Sequence, residues 1–566
     1  MKRWAMITTS PWFVYVLIAP LALVLAGYVV YPMLQTFWES LQTETGLSGI
    51  NYLNFFDWQH SSHLEALLTS IFISVLSVVS CGIVGVTMAF LLTRYDFPGR
   101  RILSVLVMAP MGLPPLVGVL SFVFLFSESG IIPRLIKELF GLAQVPFYLK
   151  GIAGVIAVHT FTMYTYFYMT ASAALAGFDH SLEEAAYSLG ASRWQVWRKI
   201  ILPMLTPAII SASLLVFMMS MASYTAPLIF GIERTMTMQI YLSRTNGNLD
   251  MAATQSVILS SVSIALLFIM RWYQERRNYI NQSKGVSAHR SEITSRLGRM
   301  AAIVLSVIGV VILLLPIFTI VLLSFVVEAS WTTQALPPHY TFDHYFKLFT
   351  DSRTWAPIRT SFEMSMLATI GNVVFGVAAA YLMSRFDFKG KYLMDMIIMI
   401  PWALPGTVVA INLIAAFNQP TLWSLNQVLV GTYWILPLAY FVRNLPLVFR
   451  SSAATFAQFD PSIEDAARSL GASWWYSFRR VVLPVTASGI LAGTLLAFVQ
   501  GVGEFVASIL LFTVNTTPLS VAIFQRMYAY EIGAACAYGT LQIVMIATVL
   551  FVTQKLTGDK MGTSCS

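Results

Sequence analysis

The chain has 566 residues, 57% of them hydrophobic and 11% charged, with a mean hydropathy of +0.72. Soluble domains carry about 25% charged residues, so a string of soluble domains is excluded and an all-α polytopic membrane protein is expected. The net charge of +8 does not point to nucleic acid, because too few polar residues lie outside the apolar runs to build a reading domain.

A bilayer core about 30 Å thick needs about 20 helical residues. In chain order, charge-poor stretches of that length fall at 12–33, 66–93, 102–126, 151–176, 204–230 and 251–270, then at 301–327, 364–384, 396–417, 428–449, 485–512 and 532–554. That predicts twelve transmembrane helices, six in each half. Residues 396–442 hold no charge in 47 positions and read as two spans joined at Asn418-Gln419-Pro420. Of the 34 Lys and Arg residues, 25 fall at the termini and in alternate loops, and the loop 34–63 on the other side has none. Since cytoplasmic loops hold the excess of basic residues, both termini are expected in the cytoplasm. The expected organisation is a first repeat over 1–275, a basic linker over 276–298, a second repeat over 299–560 and a tail over 561–566. Cys81, Cys536 and Cys565 show neither disulfide nor metal spacing, and no metal site is expected.

Comparing the halves exposes an internal repeat. EEAAYSLGAS at 183–192 matches EDAARSLGAS at 464–473 with eight identities in ten, and Leu-Pro follows each at the same distance, ending at Pro203 and Pro484. Upstream, LLTRYDFPGR at 91–100 matches LMSRFDFKGK at 382–391, and MAPMGLPP at 108–115 matches MIPWALPG at 399–406. An even number of spans per half makes the repeat parallel, related by an axis along the membrane normal.

The repeated loops, 181–203 and 462–484, read as a short helix, a break and a second helix. Ser181 with Glu184, and Ser462 with Asp465, fit capping boxes. Leu182, Ala185, Ala186 and Leu189 share one face, as do Ile463, Ala466, Ala467 and Leu470. Gly190 and Gly471 stand where a helix ends in positive φ. Trp194, Trp197, Ile200 and Ile201 beside Arg198-Lys199 suit a helix at the lipid headgroups, matched by Trp475, Phe478, Val481 and Val482 beside Arg479-Arg480. An interfacial connector explains the caps and tryptophans. A small alanine face retained twice fits docking into a partner's groove better.

Glu184-Ala185-Ala186, Gly190 and Ile200-x-Leu202-Pro203 resemble the EAA loop of binding-protein-dependent ABC importer permeases, and Asp465-Ala466-Ala467, Gly471 and Val481-x-Leu483-Pro484 are similar, with Asp for Glu and Val for Ile. The resemblance implies a fused permease with the type I importer fold. Each loop would be a coupling helix on one of two ATPase subunits, ATP would be held by those partners, and this chain would bind no cofactor. It further implies the bacterial inner membrane and a periplasmic solute-binding protein docked on outer loops 34–63, 231–250, 328–357 and 513–531. In agreement, no Gly-x-x-x-x-Gly-Lys-Ser/Thr phosphate loop occurs, so no ATPase or other catalytic residue is expected in this chain. Fused permeases of this kind look most like those for ferric iron; importers of thiamine, polyamines and phosphonates share the architecture. A six-plus-six secondary transporter is the alternative class.

Ionisable residues inside spans are costly and point to function. Glu504 aligns with Ser223 and His159 with Tyr440, and these four are the candidates for the translocation path. A buried arginine or backbone donors would equally account for Glu504, and packing for His159. Arg443 is expected to snorkel to the interface. The Gly-Leu-Pro-Pro and Ala-Leu-Pro-Gly turns at 112–115 and 403–406 are expected either to border the path or to form simple kinks.

Overall fold

The computed structural model describes residues 11–43, 46–57, 62–177, 181–277, 291–292, 296–331, 334 and 336–562. Most of the expected linker, the first ten residues and the last four of the tail therefore lie outside the described residues. The helices of the first half are α1 (Pro11–Leu25), α2 (Tyr31–Ser40), α3 (Ile50–Phe56), α4 (Ser62–Ala89), α5 (Arg100–Leu106), α6 (Pro115–Phe126), α7 (Ile131–Leu139), α8 (Gly151–Ala176), α9 (Ser181–Ser188), α10 (Arg193–Val196), α11 (Leu202–Met221), α12 (Thr225–Ile229), α13 (Met236–Thr245) and α14 (Leu249–Arg277). The second half continues with α15 (Arg296–Leu323), α16 (Asp343–Thr350), α17 (Ser352–Arg385), α18 (Lys391–Ala403), α19 (Gly406–Phe417), α20 (Ile435–Gln458), α21 (Pro461–Ser469), α22 (Trp474–Ser477), α23 (Leu483–Val502), α24 (Ser508–Leu511), α25 (Leu519–Tyr528) and α26 (Ile532–Gly562). Strand among the described residues is confined to two pairs of two-residue segments, Gln42–Thr43 with Gly46–Leu47 and Tyr95–Asp96 with Ser291–Glu292. Helix prevails because a bilayer offers no partner for an open backbone group.

Nine helical stretches among the described residues are long and apolar enough to cross a membrane, ten if the bent pair α18 and α19 counts as one span. α8 and α20, at 26 and 24 residues, have the length but carry His159 in one and Arg443, Asn444 and Arg450 in the other. They complete the six helices expected of each half and pack deeply, α8 on α4 and α20 on α17.

The third span of each half is not one straight helix. α18 and α19 meet at 111°. Leu113 and Leu404 are extended, with ψ of 133° and 136°, because each precedes a proline that excludes the helical region. So large an angle rules out a simple kink for 403–406. The half-helices beyond the breaks are deeply enclosed: every residue of α19 is buried, and nine of the twelve in α6. Around them the halves interlock. α2 packs on α19, and the short π-helical turn Ala26–Val30 before it packs on α18; in exchange α15 packs on α5 and α6. The Tyr28 hydroxyl donates to the Trp423 carbonyl across this seam at 3.0 Å.

Candidate functional site

Both repeated loops fold as a short helix, a glycine and a second short helix. Gly190 and Gly471 have φ of +82° and +92°, the left-handed conformation that costs any other residue a Cβ clash. Past the turn, the Ala191 N–H donates to the Ala186 carbonyl and the Ala472 N–H to the Ala467 carbonyl, at 3.0 and 3.1 Å. Ser192 and Ser473 then cap the next helices, accepting from the Gln195 and Tyr476 N–H groups. α10 and α22 lead through π-helical turns at Trp197–Ile201 and Phe478–Val482 into α11 and α23.

The caps of the first short helices differ from the expected boxes. Asp460 caps α21, accepting from the Ser462 N–H at 2.9 Å, with Pro461 as the first helical residue. Proline's fixed φ starts the helix one residue before Ser462, so Ser462 donates instead of capping. The Ser462 backbone and hydroxyl hold the Asp460 carboxyl below the usual range. Ser181 likewise lies inside α9; the positions before it, 178–180, are outside the described residues.

The predicted face is largely free. Leu189 and Leu470 are 89% and 90% exposed, and Leu182, Ile463, Glu184, Ala185, Asp465 and Ala466 are exposed as well. Ala186 and Ala467 depart from the expectation: both are half-buried, and Ala186 packs against the core of the first half.

What anchors each helix was missed in the sequence. Glu183 and Glu464, one residue before the motif acids, are buried. Arg94 at the end of α4's π-helical continuation grips Glu183, with Nη1 to Oε1 at 2.9 Å and Nη2 on the other oxygen. Arg385 at the end of α17 grips Glu464, which also accepts from the Tyr381 hydroxyl at 3.0 Å; that hydroxyl accepts from Trp474 Nε1 at 3.0 Å. The same clamp thus ties the loop to the second span in both halves. A signal was present, since Glu183/Glu464 and Arg94/Arg385 are identical between repeats, whereas Glu184 changes to Asp465.

The four candidate path residues form two separate polar groups at helix breaks. In the first half His159 Nδ1 contacts the Ser77 and Ser220 hydroxyls at 2.9 and 3.2 Å, and Nε2 contacts Ser223 at 2.8 Å. In the second, Tyr440 bonds the Ser508 hydroxyl at 2.7 Å, and that hydroxyl donates to the Glu504 carbonyl at 2.8 Å. The Glu504 carboxylate accepts from Arg443 Nη1 at 2.8 Å and from the Ala507 N–H at 2.9 Å. Arg443 therefore does not snorkel. It turns inward over Gly406, where a Cβ would stand 2.2 Å from Nη1, so the glycine after Pro405 makes the space that lets the pair close.

Breaks from both halves meet here. A Cβ on Gly503, at the end of α23, would lie 3.9 Å from Pro114, and the rings of Tyr224 and Phe505 are 6.3 Å apart. Among the described residues, no group of three or more His, Cys, Asp or Glu is placed to hold a metal ion.

Comparison with known proteins agrees with the repeat. The family model described as binding-protein-dependent transport system inner membrane component matches twice, over residues 82–278 and 372–559. A protein of Sinorhizobium fredii (strain NBRC 101917 / NGR234), named as a probable ABC transporter permease, y4fN, is 28% identical over 87% of this chain and 87% of its own. The ferric transport system permease protein FbpB of Actinobacillus pleuropneumoniae is 25% identical over 88% of this chain and 72% of its own. A Salmonella paratyphi A protein named for a 2-aminoethylphosphonate transport system, PhnV, is 30% identical over 47% of this chain and 96% of its own.

Proposed function

The chain belongs to the family of binding-protein-dependent transport system inner membrane components, carrying its domain twice, and on that premise we propose that it is a fused permease of an ABC importer, supplying both membrane halves. α9 and α21 each dock in a groove of one ATPase subunit, so that two ATPases sit on the basic end. That end is cytoplasmic, and hydrolysis takes place on those subunits. A periplasmic binding protein delivers solute at the opposite end. The observation that carries this reading is the repeated construction of a small, exposed apolar helix with a buried Glu–Arg clamp on the next span. A single exposed leucine would need no explanation. Two exposed leucines at equivalent places, each on a helix held rigid from behind, form a surface built to receive force. The one-for-one match of clamps makes the second span of each half the first element to move.

Ferric iron is the proposed substrate. It is supported by the relatives named for ferric transport, which align over 88% and 80% of this chain, while the phosphonate-named relative aligns over 47%. The binding protein would do most of the selecting, with the Arg443–Glu504 and His159–Ser223 groups lining the closed passage.

Leu189→Asp with Leu470→Asp places charge on both faces. ATPase is expected to be lost on affinity purification while the chain still inserts. Retention of a stoichiometric ATPase, or solute transport in liposomes by the chain alone, would refute the reading. Uptake of radiolabelled ferric iron against 2-aminoethylphosphonate, in vesicles reconstituted with the partner subunits, decides the substrate.

A further inference from the structure

Two short helices at the end opposite the basic loops carry a face that coupling and passage leave unused. α3 and α16 occupy matching places between the first and second spans. Each is pinned to the span before it by the same bond, Ser40 to the Tyr52 hydroxyl at 2.6 Å and Ser324 to the Tyr345 hydroxyl at 2.7 Å. Phe55 and Leu348 point into the protein. On the other side Leu53 and Phe56, and Phe346 and Phe349, stand 55–69% exposed.

We propose that these faces lie in the headgroup boundary of the leaflet opposite the basic end, holding the bend between the first and second spans of each half to the bilayer surface. The inference rests on the chain spanning the membrane and is independent of how it couples to ATP. Continuity selects lipid as the occupant. Phe349 packs on Trp355 at 5.7 Å, and Trp355 heads an exposed stripe down α17: Phe362, Met366, Ile370 and Val374. Their spacing of seven, four, four and four residues marks one side of a helix; the solvent-facing Arg359–Glu363 pair, at 2.6 Å, shares that side in its first turns and suits the headgroup level, and from Met366 on the side is apolar and faces acyl chains. Leu68, Phe72, Val75, Val79 and Ile83 form the corresponding stripe on α4.

Depth agrees with composition. Trp355 lies 30 residues before Arg385, about 45 Å along the helix at 1.5 Å per residue. If Arg385 marks one headgroup layer, Trp355 reaches the other, since a bilayer with its headgroups is about 40–45 Å thick. Aromatic residues concentrate at that level. Asp343 and Lys347, exposed beside the aromatic face of α16, supply the polar side that an interfacial helix turns to water. The proposal narrows the outer docking surface, because it removes these faces of 34–63 and 328–357 from the area open to a soluble binding protein.

The test uses the full chain in lipid nanodiscs, in a Cys565→Ser background with the buried Cys81 and Cys536 left in place. Nitroxides are attached singly after Leu53→Cys, Phe56→Cys, Phe346→Cys, Phe349→Cys, Asp343→Cys and Lys347→Cys. Collisions with oxygen should exceed those with a water-soluble nickel complex at least several-fold at the first four sites, with the reverse at the last two. A headgroup-borne quencher should outrank one placed deep in the acyl chains. Nickel access at all six sites would overturn the proposal, and so would protection of the first four that appears only when the purified binding protein is added. The two halves provide independent variants, so misfolding at one label does not remove the test.

Discussion

Removing Arg385 should do more harm than removing its partner. The Arg385 and Glu464 side chains are 20% and 7% exposed. Arg385→Gln strands a carboxylate that is nearly enclosed, and breaking a buried pair in this way costs about 3–5 kcal/mol. The Tyr381 hydroxyl stays in place, and a hydrogen bond to a charged group contributes about 1.5–3 kcal/mol, which puts the loss near the lower figure. About 3 kcal/mol is roughly a hundredfold shift in the ratio of docked to undocked α21, at 1.4 kcal/mol per decade. Glu464→Gln keeps an acceptor for Tyr381 and frees a long cationic side chain to reach water, so a loss of only about tenfold is expected. The double substitution should lie close to Glu464→Gln alone, because the stranded charge is gone. Amide exchange of the 461–472 segment in nanodiscs reads the docked population, and ATP hydrolysed per solute imported reads the coupling. Equal protection in the two single variants, or additive losses in the double, would refute the account of the clamp.

Gly190→Val and Gly471→Val meet open space but force a branched residue to positive φ; a cost of about 1–3 kcal/mol should leave insertion intact and raise ATP use per solute, as a reconstituted ATPase and uptake assay would measure. Gly406→Ala collides with Arg443 and Val506, so it should slow import as severely as Glu504→Gln, whereas an alanine at Gly503, with nothing closer than 3.4 Å, should be tolerated; initial uptake rates compare all three. The Asp460 carboxyl is lowered in the folded protein, so its capping contribution is complete above the unfolded value of about 3.9 and fades as pH falls through the folded one. A nitroxide after Ser469→Cys should therefore gain mobility below about pH 4, and Asp460→Asn, which keeps an acceptor without a proton to bind, should flatten that response.

Different kinds of information were readable in the sequence to different depths. Spans were legible because burial in lipid is a composition requirement, and even the bend at Leu404-Pro405 is written in two residues. Gly190 and Gly471 were legible because positive φ leaves a chemical trace. The Glu183–Arg94 and Glu464–Arg385 clamps were harder, since their members lie 89 and 79 residues apart and pairing is a property of the fold. Glu184 and Asp465 stand out because they belong to a recognisable run, while the acid next to them, the same in both repeats, has its partner far away in the chain. Arg443 shows the opposite error: its position near one end of a span suggested escape to water, and only the space over Gly406 shows why it turns inward. α3 and α16 escaped comparison because NYLNFF and HYFKLF share a tyrosine, a buried position and an amphipathic rhythm but few identities.

The interlocked halves also set a schedule for biogenesis. Tyr28 and its partner Trp423 are 395 residues apart in the chain. At about 5–20 residues per second, the first helix emerges roughly 20–80 s before the surface it will join has been synthesised. During that interval α1 and α2 have only lipid, or an insertion chaperone, to cover the side that finally meets α18 and α19. A nascent chain stalled before residue 400 should therefore be more open to proteolytic quality control than its own length suggests, and the protection that rescues it arrives with the second half.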